Sequence, residues 1–155
     1  MPMDSLEAAG LTEMDDTEIE DFLSSQRFGV LGLPAAAAPY LVPISFGYAD
    51  GVLYFTFIGG PESEKRVLMT DAELATFLVL DVASMFSWES VALTGRPERV
   101  PESEWEDIAD VLDGVWRPEV FAAALESEDI AIFRFDVEER SGIRHTGLPE
   151  GFRNF

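Results

Sequence analysis

The chain has 155 residues, 47% of them hydrophobic and 12% aromatic, no cysteine, and a formal net charge of -20 from 30 Asp plus Glu against 10 Lys plus Arg. That length makes one domain with a real core, and so many apolar residues exclude a disordered acidic tail. The charge argues against nucleic acid and anionic membrane as partners, and the missing thiols exclude disulfides, thiolate nucleophiles and cysteine-based metal sites.

The opening "MPMDSLEAAG" has neither a basic nor an apolar targeting segment, and no run of 18 apolar residues occurs, so the expectation is a soluble, cytoplasmic protein. So acidic a surface resists its own compaction at low ionic strength. At about 1 M salt the Debye length falls to about 3 Å and the repulsion is screened, so the composition reads as halophilic, haloarchaeal-like.

In chain order, "DDTEIEDFLSSQ" predicts an amphipathic helix with Thr17 as N-cap, Glu20 three residues on, and Ile19, Phe22 and Leu23 on one face. "RFGVLGL" (Arg27 to Leu33) predicts a strand, and "AAAA" between Pro34 and Pro39 a loop. "YLVPISFGYADGVLYFTF" (Tyr40 to Phe57) predicts a hairpin turning at Asp50-Gly51. "ESEKRVLM" follows a Gly-Gly-Pro loop as a short helix, with Pro61 in its first turn. The near-continuous apolar run of "ELATFLVLDVAS" predicts a strand covered on both faces; "SWESVALTGRPERV" alternates, with Pro97 marking an edge or a bulge. "PESEWEDIADVLDG" and "PEVFAAALES" predict two helices, the first with Trp105, Ile108 and Leu112 on one face. "IAIFRFDVEE" closes the set as a strand with Ala131, Phe133, Phe135 and Val137 on one side. Six strands and a few short helices predict a small, mainly antiparallel barrel, one domain over residues 1–155 with its core at 12–140 and a tail at 141–155.

A two-residue turn sets Ser45 opposite Thr56, Gly47 opposite Tyr54 and Pro43 opposite Ile58, with Ile44, Phe46 and Tyr48 on the other face against Phe57, Phe55 and Leu53. The first face, with a proline, a glycine and two hydroxyls, forms a shallow platform for a flat ligand, and Pro43 belongs where no neighbouring strand takes a donor; the alternative is that Pro43 protects an edge strand and Ser45 faces water. Lys65, the only lysine, follows the Gly-Gly-Pro loop at a helix start beside Ser63 and Arg66, which makes a phosphate site. The alternative for Lys65 is a solvated pair with Glu62.

The ordered set of helix, "FGVLGL", "PYLVPISFGYADGVLYFTF", "EKRVLM", "FLVLDV" and "SWESVALTGRPERV" resembles the split-barrel flavin-binding proteins related to pyridoxamine 5'-phosphate oxidase, over roughly Thr12 to Glu139. Within them it is similar to the group that includes the nitroimidazole-resistance proteins. The resemblance implies a six-stranded antiparallel split β-barrel with Greek-key connections, and a homodimer holding flavin mononucleotide (FMN) in two interface clefts. It assigns isoalloxazine contacts to Pro43, Ile44, Ser45 and Phe46, the phosphate to Lys65 and Arg66, and a contribution from the facing subunit to Trp88 and Ser90. Thr56, beside Ser45 on the platform, joins the set.

Flavin carries its own redox chemistry, so the expected function is an FMN-dependent oxidoreductase taking electrons from a reduced nicotinamide or another donor, with no catalytic side chain or metal site to name. The chain ends "RSGIRHTGLPEGFRNF", without the Arg- and His-bearing segment that grips the vitamin in the true oxidase, and the only histidine, His145, reads as a solvated tail residue. A flavin, deazaflavin or haem binding module without turnover and a cofactor-free acidic interaction protein are the other classes the sequence admits.

Overall fold

The structure, a computed structural model, describes residues 9–113 and 130–147. Its strands are β1 (Leu11–Glu13), β2 (Phe28–Leu33), β3 (Tyr40–Ala49), β4 (Val52–Ile58), β5 (Ala75–Ser84), β6 (Ser87–Arg99) and β7 (Ile130–Thr146). The helices are α1 (Asp16–Ser25), α2 (Glu64–Asp71) and α3 (Ala109–Asp113), the last entered through a 3-10 stretch over Glu102–Ile108. All strand pairs are antiparallel, in the order β1-β7-β4-β3-β2-β5-β6, and β6 pairs back onto β7. Closure makes β2 to β7 a six-stranded barrel, and β1 adds a short flap along Ile143 to His145 of β7.

The barrel closes on phenylalanine. Phe77 meets Phe46 and Phe55 edge to face at 5.2 and 4.9 Å, and Phe55 meets Phe135 at 5.7 Å. All four are buried, each stabilising the fold by roughly 1.5–3 kcal/mol through apolar burial. Ile19, Phe22 and Leu23 of α1 join this core, as the helical spacing predicts. A smaller cluster of Val100, Trp105, Leu112, Ile130 and Ile132 lies outside the barrel, where the Trp105 indole donates to the Val100 carbonyl at 3.0 Å.

Several local expectations need correction. The N-cap of α1 is Asp15, not Thr17: Asp15 accepts from the Glu18 amide and Glu18 from the Asp15 amide, a capping box two residues earlier than the Thr17–Glu20 pair. Pro61 precedes α2, whose N-cap is Ser63. Residues Glu102–Ile108 wind as 3-10, although Trp105 and Leu112 are buried as expected; the expected helix over "PEVFAAALES" lies outside the described residues. Pro97 does sit at an edge, since β6 pairs with β5 only from Ser87 to Gly95 and Pro97 pairs with β7 alone, and the β6–β7 register shifts between Thr94 and Gly95. Finally, β7 runs to Thr146, so residues 141–146 are barrel strand and not tail.

β5 also differs from expectation. Ala75, Phe77 and Val79 point into the core, but Leu78, Leu80 and Val82 are exposed, Val82 at 58%. Among the described residues only one side of this apolar run is covered.

Candidate functional site

The Asp50-Gly51 turn has both residues in the left-handed region (φ 52° and 79°), and pairs Ala49 with Val52, Tyr48 with Leu53, Gly47 with Tyr54 and Phe46 with Phe55. There the β3–β4 ladder stops. The expected Ser45–Thr56 and Pro43–Ile58 pairs do not form: Tyr40 to Ser45 pair only with β2, and Thr56 to Ile58 only with β7. The barrel is split along this seam.

The position of Pro43 follows. Phe46 donates its amide toward β2, to the Arg27 carbonyl at 3.0 Å, and in an antiparallel strand alternate residues donate to opposite sides. The amide of Ser45 and the amide that Pro43 lacks therefore face the seam. A proline at this point ends the ladder without stranding a donor, and Ser45 beside it offers an N–H and a hydroxyl to whatever enters. Pro43 is exposed and Ser45 half-buried, whereas Ile44 and Phe46 are core side chains whose amides turn to β2. Gly47 does not extend this platform. A Cβ there would lie 2.7 Å from the Val111 carbonyl oxygen, so the glycine admits α3 and not a ligand.

Past the seam, β4 runs through Thr56 into the turn that starts α2. The hydroxyls of Thr56 and Ser63 are both buried without a hydrogen-bond partner, and Ser63, although the N-cap of α2, makes no side-chain cap bond. Between them in sequence, the Gly59 carbonyl takes one long contact, 3.4 Å, from the guanidinium of Arg66, which is buried. A buried cation and two buried donors so poorly matched cost free energy unless an acceptor joins them. The first amides of α2 point the same positive end of a helix at this turn. Sequence reasoning brought Lys65 and Arg66 forward together; the fold separates them, with Arg66 buried and Lys65 half-exposed on the rim.

Trp88 and Ser90 share the outer face with Pro43 and Ser45, but not their place. The pairings Pro43–Val30, Val30–Leu78 and Leu78–Ala92 put three strand spacings, about 14 Å, between the β3 and β6 residues of that face. Between them stretches an open apolar surface of Phe28, Val30, Leu41, Leu78, Leu80 and Val82, with a groove of about 700 Å³ at the Leu41 and Leu78 end.

Two further side chains stand out. Burial, then the Glu20 carboxylate, pushes the Tyr48 hydroxyl up to about 12. His145 is 8% exposed, packed against Trp88 and Phe86. The strand signal that reveals it is the continued alternation of Ile143 and His145, hidden in the sequence behind the polar stretch Glu138 to Ser141. Among the described residues no three His, Asp or Glu gather as a metal site, and no helix is long and apolar enough to cross a membrane.

With the split barrel and its seam described, comparison places the chain. The family model of pyridoxamine 5'-phosphate oxidase matches residues 15–144. The chain belongs to this family. Among solved structures it is similar to an FAD-binding protein of Mesorhizobium loti, at 23% identity and a TM-score of 0.67, covering 88% of this chain and 99% of that one. It is also similar to a protein assigned to 5-nitroimidazole antibiotic resistance in Bacteroides thetaiotaomicron, at 20% identity and 0.67, covering 87% and 89%. A third is the FAD and haem binding protein of Mycobacterium smegmatis, at 17% identity and 0.70, covering 91% and 76%. At these identities the likeness is one of fold. No curated protein matches.

Proposed function

We propose that this member of the pyridoxamine 5'-phosphate oxidase family is a homodimeric FMN-binding oxidoreductase with a flavin cleft at each seam. The observation that carries the reading is the β4–α2 turn: the unpartnered Thr56 and Ser63 hydroxyls and the under-used Arg66 guanidinium fit a phosphate. Lys65 on the rim adds a second cation. The seam beside it offers Ser45 and the flat Pro43 to a ring system, and the neighbouring relatives that bind flavins support flavin as the class.

Bound flavin would supply the redox chemistry, between a reduced nicotinamide or other donor and a small-molecule acceptor. The chain's residues then have three tasks. Arg66, Lys65, Thr56 and Ser63 hold the phosphate, Ser45 and the backbone of Pro43 to Phe46 orient the ring, and the apolar face excludes water. That face supports the dimer: a continuous uncovered surface from Phe28 to Val82 needs a partner of the same kind, and a two-fold contact would carry Trp88 and Ser90 of one subunit to the seam of the other.

The test is titration of the purified protein, in high salt, with FMN and with riboflavin. Lys65→Ala and Arg66→Ala should each weaken FMN binding by roughly 1.5–3 kcal/mol and leave riboflavin nearly unchanged, since riboflavin lacks the phosphate. Equal losses for both ligands would overturn the phosphate assignment. Turnover with a reduced nicotinamide separates an oxidoreductase from a flavin-storing module, and the visible spectrum of the purified protein separates flavin from haem.

A further inference from the structure

We infer that His145 is a positioning residue for the flavin cleft, fixing the ring of Trp88 from behind; the inference rests on the flavin reading and on the cleft being shared between subunits. His145 is paired across the sheet with Trp88 on one side and with Leu11 on the other, so it stands in a row β6-β7-β1 on the outer face. Its Nδ1 lies 2.8 Å from the Phe86 carbonyl oxygen. A carbonyl only accepts, so Nδ1 carries the proton and donates. The Gly147 amide donates to the same oxygen at 2.8 Å, and together the two bonds fasten the turn between β5 and β6 onto the end of β7.

The adjoining Cε1–Nε2 edge of the imidazole is closed by backbone. A Cβ at Gly10 would stand 3.1 Å from His145 Cε1 and 3.2 Å from Nε2, so the residue just before β1 packs directly on the ring's outer rim. With one edge bonded and the other blocked, the imidazole has no free rotation. The ring also meets Phe86, at 5.7 Å between centroids and 50°, and Trp88, at 6.0 Å and 35°.

Trp88 is the side chain so constrained. It is half-buried on the face that carries Leu78, Leu80 and Val82, and nothing on β5 opposite it is larger than Val82. Without His145 the indole has open space behind it and several rotamers to choose from. A ring already held in one orientation loses less freedom when a ligand stacks on it, which is how a residue that touches no ligand raises affinity. His145 therefore acts through Trp88. The arrangement also gives a physical use to β1, whose approach through Gly10 completes the cage.

The test incorporates 5-fluorotryptophan and reads the three tryptophans by fluorine NMR, with Trp88→Phe assigning the Trp88 signal. In His145→Ala the Trp88 resonance should move toward the free amino acid's position while the Trp105 resonance stays, and FMN affinity should fall about two- to tenfold, the equivalent of one side chain left to be ordered on binding. His145→Asn serves if the alanine variant does not fold: its amide still donates to Phe86, but it has no ring, so the same shift is expected. An unmoved Trp88 resonance in either folded variant overturns the inference whatever the flavin does. A moved resonance with undiminished FMN affinity overturns it as well. If the unaltered protein binds no flavin, the functional reading fails and takes the cleft assignment with it, whereas the resonance separately reports whether His145 holds the indole.

Discussion

Gly47 of β3 and Val111 of α3 touch so closely that a Cβ on the glycine would lie 2.7 Å from the Val111 carbonyl oxygen and 3.0 Å from its Cγ1. Backbone cannot yield as a flexible side chain does. Gly47→Ala should therefore push α3 off the barrel, at roughly 1–3 kcal/mol, the usual cost of overpacking. Urea unfolding measures it. A variant as stable as the unaltered chain would mean that α3 is not seated on β3.

The β4–α2 turn makes a two-sided prediction. Thr56→Val removes a buried hydroxyl that has no partner, so the flavin-free protein should keep its stability or gain up to about 1 kcal/mol. If Thr56 holds the phosphate as proposed, the same change should lower FMN affinity about tenfold or more, with riboflavin little affected. Thermal unfolding with and without each ligand reads both sides. Lost stability without ligand would show that the hydroxyl already has its partner in the folded chain.

How far the sequence reaches is visible in this same region. Alternation marks β6 and β7 and the arms of the hairpin, because a period of two survives whatever the strand packs against, and the Gly-Gly-Pro loop with a cation behind it marks the turn proposed to hold phosphate, whereas the three residues of β1 are too few to show a period. The pattern of Tyr40 to Phe57 alternates evenly from end to end, so nothing in it signals that the ladder stops at Phe46–Phe55; that follows from each arm finding another partner, β2 or β7. Likewise a glycine on the outer face reads equally as room for a ligand or for a helix, and α3 decides between them at Gly47. Which of Lys65 and Arg66 is buried depends on how α2 docks, which neighbouring residues in a helix cannot reveal. His145 was illegible for another reason: its burial comes from the Phe86 turn and Gly10, distant in sequence.

Tyr48 gives a pH dependence. Its hydroxyl is raised from 10.0 to about 12 in the folded chain, by burial first and then by Glu20, so the folded state holds the proton that the unfolded state releases. Stability from this group is complete below pH 10 and is lost as pH rises through about 12. Tyr48→Phe should flatten that part of the stability curve, checked by urea midpoints between the two values. An identical alkaline slope in both proteins would remove Tyr48 as its source.

Salt acts on two opposed sets of charges. Arg140 pairs with Asp16 and Glu20 at 3.1 Å, and Arg144 with Glu18 and Glu89, fastening α1 to β7 and β6. Such pairs, open to solvent on at least one side, are worth about 0–1 kcal/mol each and are weakened by salt. The surplus of 20 negative charges repels at every separation within the Debye length, about 30 Å at 0.01 M and 3 Å at 1 M. Repulsion is the larger effect, so stability should rise with salt. Circular dichroism during dialysis from molar to millimolar KCl tests this, and a flat response would refute the halophilic reading of the composition.

The shared cleft makes the last prediction. Within one chain two strands, β2 and β5, lie between β6, which carries Trp88, and the seam residues of β3, so if both serve one flavin, they come from different subunits. Lys65→Ala and Trp88→Ala homodimers are then each impaired at both clefts. In a heterodimer of the two, one cleft collects both lesions and the other receives an unaltered Lys65 from one chain and an unaltered Trp88 from its partner. Random exchange makes half of the dimers heterodimers, so roughly one quarter of all clefts should bind FMN tightly again. Flavin titration of unfolded and refolded mixtures, with exchange confirmed by a size tag on one variant, reads the fraction directly. If exchange is complete and no tight sites return, Lys65 and Trp88 serve the flavin within a single chain, and the open face from Phe28 to Val82 must be covered by something other than a second cleft-sharing copy.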